Sequence, residues 1–173
     1  MIRLFFLTLL VTIAPAFSAP LPEPISQTSP GLNFAGSGTL HWFGLHVYTA
    51  SLYVEGGRYS SNSTAALSIT YHRTIKSARL LATTSDEWSR LGKGTSAQRL
   101  MWVKALAGLW PDVKPGDRLT ALRVKQGETR FYFGDTLLGT VSDPAFGPAF
   151  FAIWLDAGCR YPAVRDAMLG KTH

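Results

Sequence analysis

From Gly36 to Val54 the chain carries a period of two that confines this stretch to β structure. In the run Val47-Tyr48-Thr49-Ala50-Ser51-Leu52-Tyr53-Val54, the residues Tyr48, Ala50, Leu52 and Val54 share one face, while Val47, Thr49, Ser51 and Tyr53 share the other. The residues are largely β-branched or aromatic, which suits a pleated, half-buried surface. Gly44 marks the point where this strand meets an earlier one that begins near Gly36. Bulk on both faces implies a sheet covered on both sides, at least in part.

The remaining chain sorts around that pair. Ala66 to Arg73 predicts a third strand, with Leu67, Ile69 and Tyr71 on one face and Ser68, Thr70 and His72 on the other. The period then becomes helical: Ala78, Leu81, Trp88 and Leu91 recur until Gly92-Lys93-Gly94 stops them. Thr95-Ser96-Ala97-Gln98 has the form of a capping box, opening a second helix that runs towards Trp110 and stops at Pro111. Leu119–Lys125, Thr129–Phe133 and Thr136–Val141 predict three more strands, the last two joined by a Gly134-Asp135 hairpin turn. Asp143-Pro144 predicts the start of a third helix, with Asp143 as its cap. The residues Phe146, Phe150, Phe151, Ile153, Trp154 and Leu155 make that helix apolar nearly all round, so it must be buried on most sides or line an apolar cavity. A short last helix starts near Pro162, buries Val164 and Met168, and ends at Gly170. Strands, helices, a run of strands and helices again argue an α+β fold, a mainly antiparallel sheet with helices on one face.

Residues 1–18 have the pattern of a secretory signal peptide: a basic start at Arg3, an apolar run from Leu4 to Ile13, and small residues spaced for cleavage after Ser18. Residues 19–31 read as an extended lead-in rich in Pro and Ser, and 32–173 as one domain, for which 46% hydrophobic content supplies an ample core. The expectation is a periplasmic or secreted protein with no integral membrane segment in the mature chain. Cys159 is the single cysteine, so an internal disulfide is excluded, and no His lies close to it in sequence to activate the thiol. The net charge of +6 is scattered rather than gathered into a basic run with interleaved aromatics, which argues against nucleic acid as a partner. Arg123, Lys125 and Arg130 read as part of a solvated basic surface, and Asp86-Glu87 as the solvent face of a helix.

Several chemistries lack their signposts. His41 and His46 have no Cys, Asp or Glu at ligand spacing, so no metal site and no cofactor is expected. Gly92-Lys93-Gly94-Thr95-Ser96 follows a helix, whereas a phosphate loop needs a preceding strand and a longer glycine spacing. No Gly-x-Ser-x-Gly elbow is present.

The Gly36-x-Gly38 pair followed by Val47-Tyr48-x-Ala50-x-Leu52-Tyr53-Val54, the strand end Tyr71-His72-Arg73 and the run Leu109-Trp110-Pro111-Asp112-Val113-Lys114-Pro115-Gly116-Asp117 together resemble the bacterial chalcone-isomerase-like family. So do Asp143-Pro144-x-Phe146, Phe150-Phe151-x-Ile153-Trp154-Leu155 and Leu169-Gly170. The resemblance runs from about Gly36 to Gly170 and implies a curved antiparallel sheet with a cleft beneath its helices. Plant enzymes of this fold close a ring by adding a phenolate to an enone, using an early Arg, a strand hydroxyl, and a Tyr and an Asn on the helical layer. Fatty-acid-binding relatives keep an Arg and a Tyr for the ligand carboxylate. In this chain Leu40 stands where the cation is expected, Tyr48 falls near the strand hydroxyl, and the only Asn residues, Asn33 and Asn62, lie outside the helices. The helix after the third strand offers Lys76, Arg79, Thr83 and Thr84 but no Tyr.

Without a fixed cation, a phenolate or enolate developing in a dry cleft loses its strongest stabiliser. The expectation is therefore a binder of a small apolar or amphipathic ligand, a carboxylate included, through Tyr48, Arg73 and Trp154. Two readings stand beside it: an isomerase or intramolecular lyase with a site rearranged around Tyr48 and Arg73, and a structural or protein-interaction module. Ligand identity, catalytic residues and oligomeric state stay open at this level.

Overall fold

The computed structural model describes residues 20–125 and 127–171. The signal-peptide segment lies outside the described residues. Six strands form one sheet in chain order: β1 (Leu32–Trp42), β2 (Leu45–Glu55), β3 (Ala65–Tyr71), β4 (Arg118–Arg123), β5 (Thr129–Phe133) and β6 (Thr136–Val141). Every neighbouring pair is antiparallel. Register shifts between Phe34 and Gly36, between Leu40 and His41, and between Phe131 and Tyr132 bend the strands that carry them.

The two faces divide as the period of two requires. Leu52, Val54, Leu67, Ile69, Ala121 and Phe131 face a helical layer made of α2 (Ser77–Arg90), α3 (Ser96–Ala107), α4 (Phe146–Leu155) and α5 (Pro162–Met168). The capping box is present: Gln98 N donates to Thr95 Oγ1 at 3.2 Å, and Thr95 N donates to Gln98 Oε1 at 2.9 Å. Beneath α4 lies an aromatic stack in which Trp88, Trp102, Phe131 and Phe150 meet one another or Phe146 with centroids 5.1–5.9 Å apart. Trp88 Nε1 donates to the Ala149 carbonyl at 3.1 Å and Trp102 Nε1 to Asp143 Oδ2 at 2.8 Å, so these buried indoles keep their hydrogen bonds.

The structure corrects four of the sequence-based expectations. The lead-in, described from residue 20 onward, is not uniformly extended: α1 (Glu23–Thr28) forms there and inserts the fully buried Ile25 among Tyr53, Ala66, Leu122 and Tyr132 on the far face of the sheet. Six residues are too few for a helical period to show in sequence. The second helix stops at Ala107, short of Pro111, although Trp110 N still donates to the Leu106 carbonyl at 2.8 Å. Asp143 does not cap α4, whose N-cap is Ala145; its carboxylate instead accepts from Ala145 N and from Trp102. Arg123 and Glu87, read as solvated charges, are both buried. Each has found enough partners to leave water, as described below.

Candidate functional site

The sheet and the helical layer do not meet everywhere. Between the β1–β4 half of the sheet, α2, α4 and the segment entering α5 lies a cavity of about 800 Å³, within the range usual for small-molecule sites. Leu40, Ile69 and Leu119 on the sheet and Phe150 and Ile153 on α4 supply apolar wall. α4 is buried through Phe146, Phe150, Phe151 and Leu155, while Ile153 and Trp154 stay half-buried against this space. The apolar helix thus does both things its sequence permits: it fills the core and lines a cavity.

The three residues singled out from sequence, Tyr48, Arg73 and Trp154, all line this cavity. Tyr48 and Trp154 lie 106 positions apart, and Trp154 Nε1 donates to the Tyr48 hydroxyl oxygen at 3.1 Å. Burial pushes the Tyr48 phenol far above its ordinary pKa, outweighing the opposite pull of that hydrogen bond. Tyr71, directly across from Tyr48 in the β2–β3 register, is raised for the same reason, with its neighbour's charge adding to the effect. Both phenols therefore keep their protons at neutral pH. The Tyr48 oxygen already accepts the indole N–H, which leaves its own proton free for donation. Trp110 adds a buried Nε1–H that has no acceptor among the described residues. The interior offers neutral donors.

The cations sit on exposed residues at the rim. Lys76 is paired with Asp112 at 2.7 Å and Arg160 with Glu87 at 2.6 Å. Among the described residues the side chains of Arg73 and Arg79 have neither an ion pair nor a hydrogen bond, and both residues border the cavity. Glu87, 5% exposed, receives Arg90 at 2.6 Å as well as Arg160. Burial alone would raise its pKa, but hydrogen bonds from the two guanidiniums outweigh this and hold it below its ordinary value of 4.5. A lowered pKa stabilises the fold above the ordinary value, and that contribution is lost as pH falls through the lowered one. Glu87→Gln is expected to cost about 2 kcal/mol at neutral pH. It should also flatten the fall in melting temperature below pH 4.5, which thermal melts across a pH series would read.

Sequence reasoning missed Tyr71 and Trp110 as cavity residues, although Tyr71 shares a face with Ile69 and pairs with Tyr48, so a register argument would have found it. The arginine–Glu87 cluster had no such signal. On the opposite face, His46 lies 4.1 Å from His41 and 5.7 Å from His72 between ring centroids, and Thr49 Oγ1 lies 3.0 Å from His72 Nε2. Among the described residues no cluster of His, Cys, Asp and Glu is arranged to hold a metal ion.

The model of the chalcone isomerase-like family matches residues 17–170. An uncharacterized protein of Haemophilus influenzae is 29% identical over 166 residues, covering 95% of this chain and 78% of that protein. Among solved structures, a fatty-acid binding protein of Arabidopsis thaliana superposes with a TM-score of 0.65 at 8% identity, over 80% of this chain and 87% of its own. That likeness establishes a shared fold: an open antiparallel sheet with its helical layer. With a match spanning nearly the whole chain and the fold agreeing, this protein belongs to the chalcone isomerase-like family.

Proposed function

We propose that this protein binds a single-tailed amphipathic molecule, a fatty carboxylate or close relative, and carries it unchanged. One observation leads to this reading: the cavity is apolar with neutral donors inside, and its unpaired cations, Arg73 and Arg79, stand at the rim. Moving a carboxylate deep into such a space without a fixed cation costs several kcal/mol. A tail that fills the interior while its head stays hydrated beside two guanidiniums avoids that cost. The fatty-acid binding of the Arabidopsis thaliana protein that shares the fold supports the same class of ligand. The N-terminal signal pattern adds the proposal that the carrier works outside the cytoplasm.

The rival isomerase reading draws on Tyr48, Tyr71 and the rim arginines. Ring closure on an enone needs positive charge at the developing oxyanion, and the free guanidiniums belong to exposed residues rather than to the buried wall. Calorimetric titration with a long-chain fatty acid and the matching fatty alcohol tests the proposal. Arg73→Glu with Arg79→Glu is expected to weaken the acid by roughly tenfold to a hundredfold and leave the alcohol nearly unchanged, whereas Ile69→Trp should block both. Absence of saturable binding by either compound would remove the carrier reading, and turnover of an enone above the uncatalysed rate would favour the isomerase.

A further inference from the structure

The turn between β1 and β2 presents three large apolar side chains to solvent: Trp42 is 59% exposed, Phe43 89% and Leu45 51%. Single exposed apolar residues are ordinary on a protein surface, but three within four positions at the tip of a hairpin form a patch. None of the three belongs to either hydrophobic cluster of the fold. Phe43 also sits at φ 48°, beside Gly44 at φ 74°. Such a two-residue turn favours Asn-Gly or Gly-Gly, and a bulky side chain there is strained. Among the described residues the only ring contact of Phe43 is with Trp42, stacked at 5.7 Å. The folded chain therefore gains little from an aromatic residue that its backbone disfavours.

We propose that this hairpin tip inserts into the interfacial layer of an anionic lipid bilayer and sets the cavity mouth against the membrane. Tryptophan favours that layer, where its ring meets acyl chains and its N–H meets water. Trp42 belongs to the tip and to the cavity wall alike, so the patch is continuous with the opening through which a guest must pass. The unpaired Arg73 and Arg79 share that rim, and with a net charge of +6 they suit anionic headgroups. Asp86 is the one carboxylate on the rim without an ion pair among the described residues. Among those residues no helix is long and apolar enough to cross a membrane, so attachment through the tip is peripheral. Loading from the bilayer rests on the carrier reading above; the docking itself does not.

Co-sedimentation of the ligand-free protein with vesicles tests the docking independently of any carried molecule. The protein is expected to pellet with vesicles of phosphatidylethanolamine and phosphatidylglycerol, less so at high salt, and weakly with phosphatidylcholine alone. Trp42→Ser with Phe43→Ser should lower the partition coefficient roughly a hundredfold. Leu100→Ser with Met101→Ser, which removes two exposed apolar side chains from α3, should bind as the parent does. Phe43→Gly relieves the strained turn, so it should melt no lower than the parent while binding roughly tenfold more weakly. The proposal is overturned if the parent protein stays in the supernatant with anionic vesicles, or if the α3 variant loses as much binding as the tip variant. A dimer that the tip substitutions abolish, in a protein that ignores vesicles, would likewise overturn it and make the tip a protein contact.

Discussion

Gly36→Val is expected to destabilise the protein by about 3 kcal/mol or more. α5 lies with its backbone directly against β1, an approach possible because Gly36 and Gly38 present no side chain. A Cβ on Gly36 would run into the carbonyl oxygens of Ala167 and Met168, and one on Gly38 would meet the Val164 main chain. Those are backbone atoms of a packed helix, so relief requires moving the helix, which would pull Val164 and Met168 out of the core. Val164 also lines the cavity, so the same displacement would reshape its wall. Denaturant unfolding would read the loss. Gly108→Ala is the matched control: an added Cβ there finds only the Ala105 carbonyl at 3.6 Å, with no positive φ, and stability should change by under about 1 kcal/mol.

Arg123→Ala is expected to cost about 3–4 kcal/mol. Arg123 is 3% exposed and faces the helices from β4, yet no carboxylate pairs with it among the described residues. Its charge is met by carbonyls and aromatic faces instead. Nε and Nη2 donate to the Ser63 carbonyl at 3.0 and 2.6 Å, and Nη2 donates to the Ser60 carbonyl at 2.9 Å. The guanidinium carbon lies 4.9 Å from the Phe151 ring centroid and 5.4 Å from that of Tyr59. One side chain thus ties the β2–β3 connection to α4. Truncation would leave a void beside Gly147 and Thr129 and release the connection. Arg123→Met, which restores volume without donors, should recover about half the loss. Limited proteolysis between residues 56 and 64 would separate a loosened loop from a globally weakened fold.

These two residues mark different degrees of legibility. The glycines of β1 could be quoted from the sequence as a family motif, but the reason for them, a helix from the far end of the chain pressed onto the strand, appears only in the fold. Arg123 was misread as surface charge because a lone arginine carries no sign of its partners; those partners are carbonyls 60 and 63 positions away. Glu87 was misread likewise, its helix position suggesting solvent until Arg160 arrived from 73 positions along the chain. The lead-in helix escaped notice because a single turn and a half offers one buried residue, Ile25, and one residue makes no period.

What the sequence determined by itself was local in origin. Alternation along Tyr48–Val54 and Leu67–Tyr71 assigned strands and their inward faces, and the Thr95–Gln98 box placed a helix start, because these signals depend on neighbours within a few residues. It also required the Phe146–Leu155 helix to be covered, since so apolar a segment has no favourable solvated state. The tertiary structure alone decided that the cover is incomplete, leaving the cavity of about 800 Å³ beside Tyr48. It alone placed neutral donors within and unpaired arginines at the opening. A cavity is volume that distant segments fail to fill, and a charge's place depends on who reaches it; both follow from how elements far apart in the chain come together.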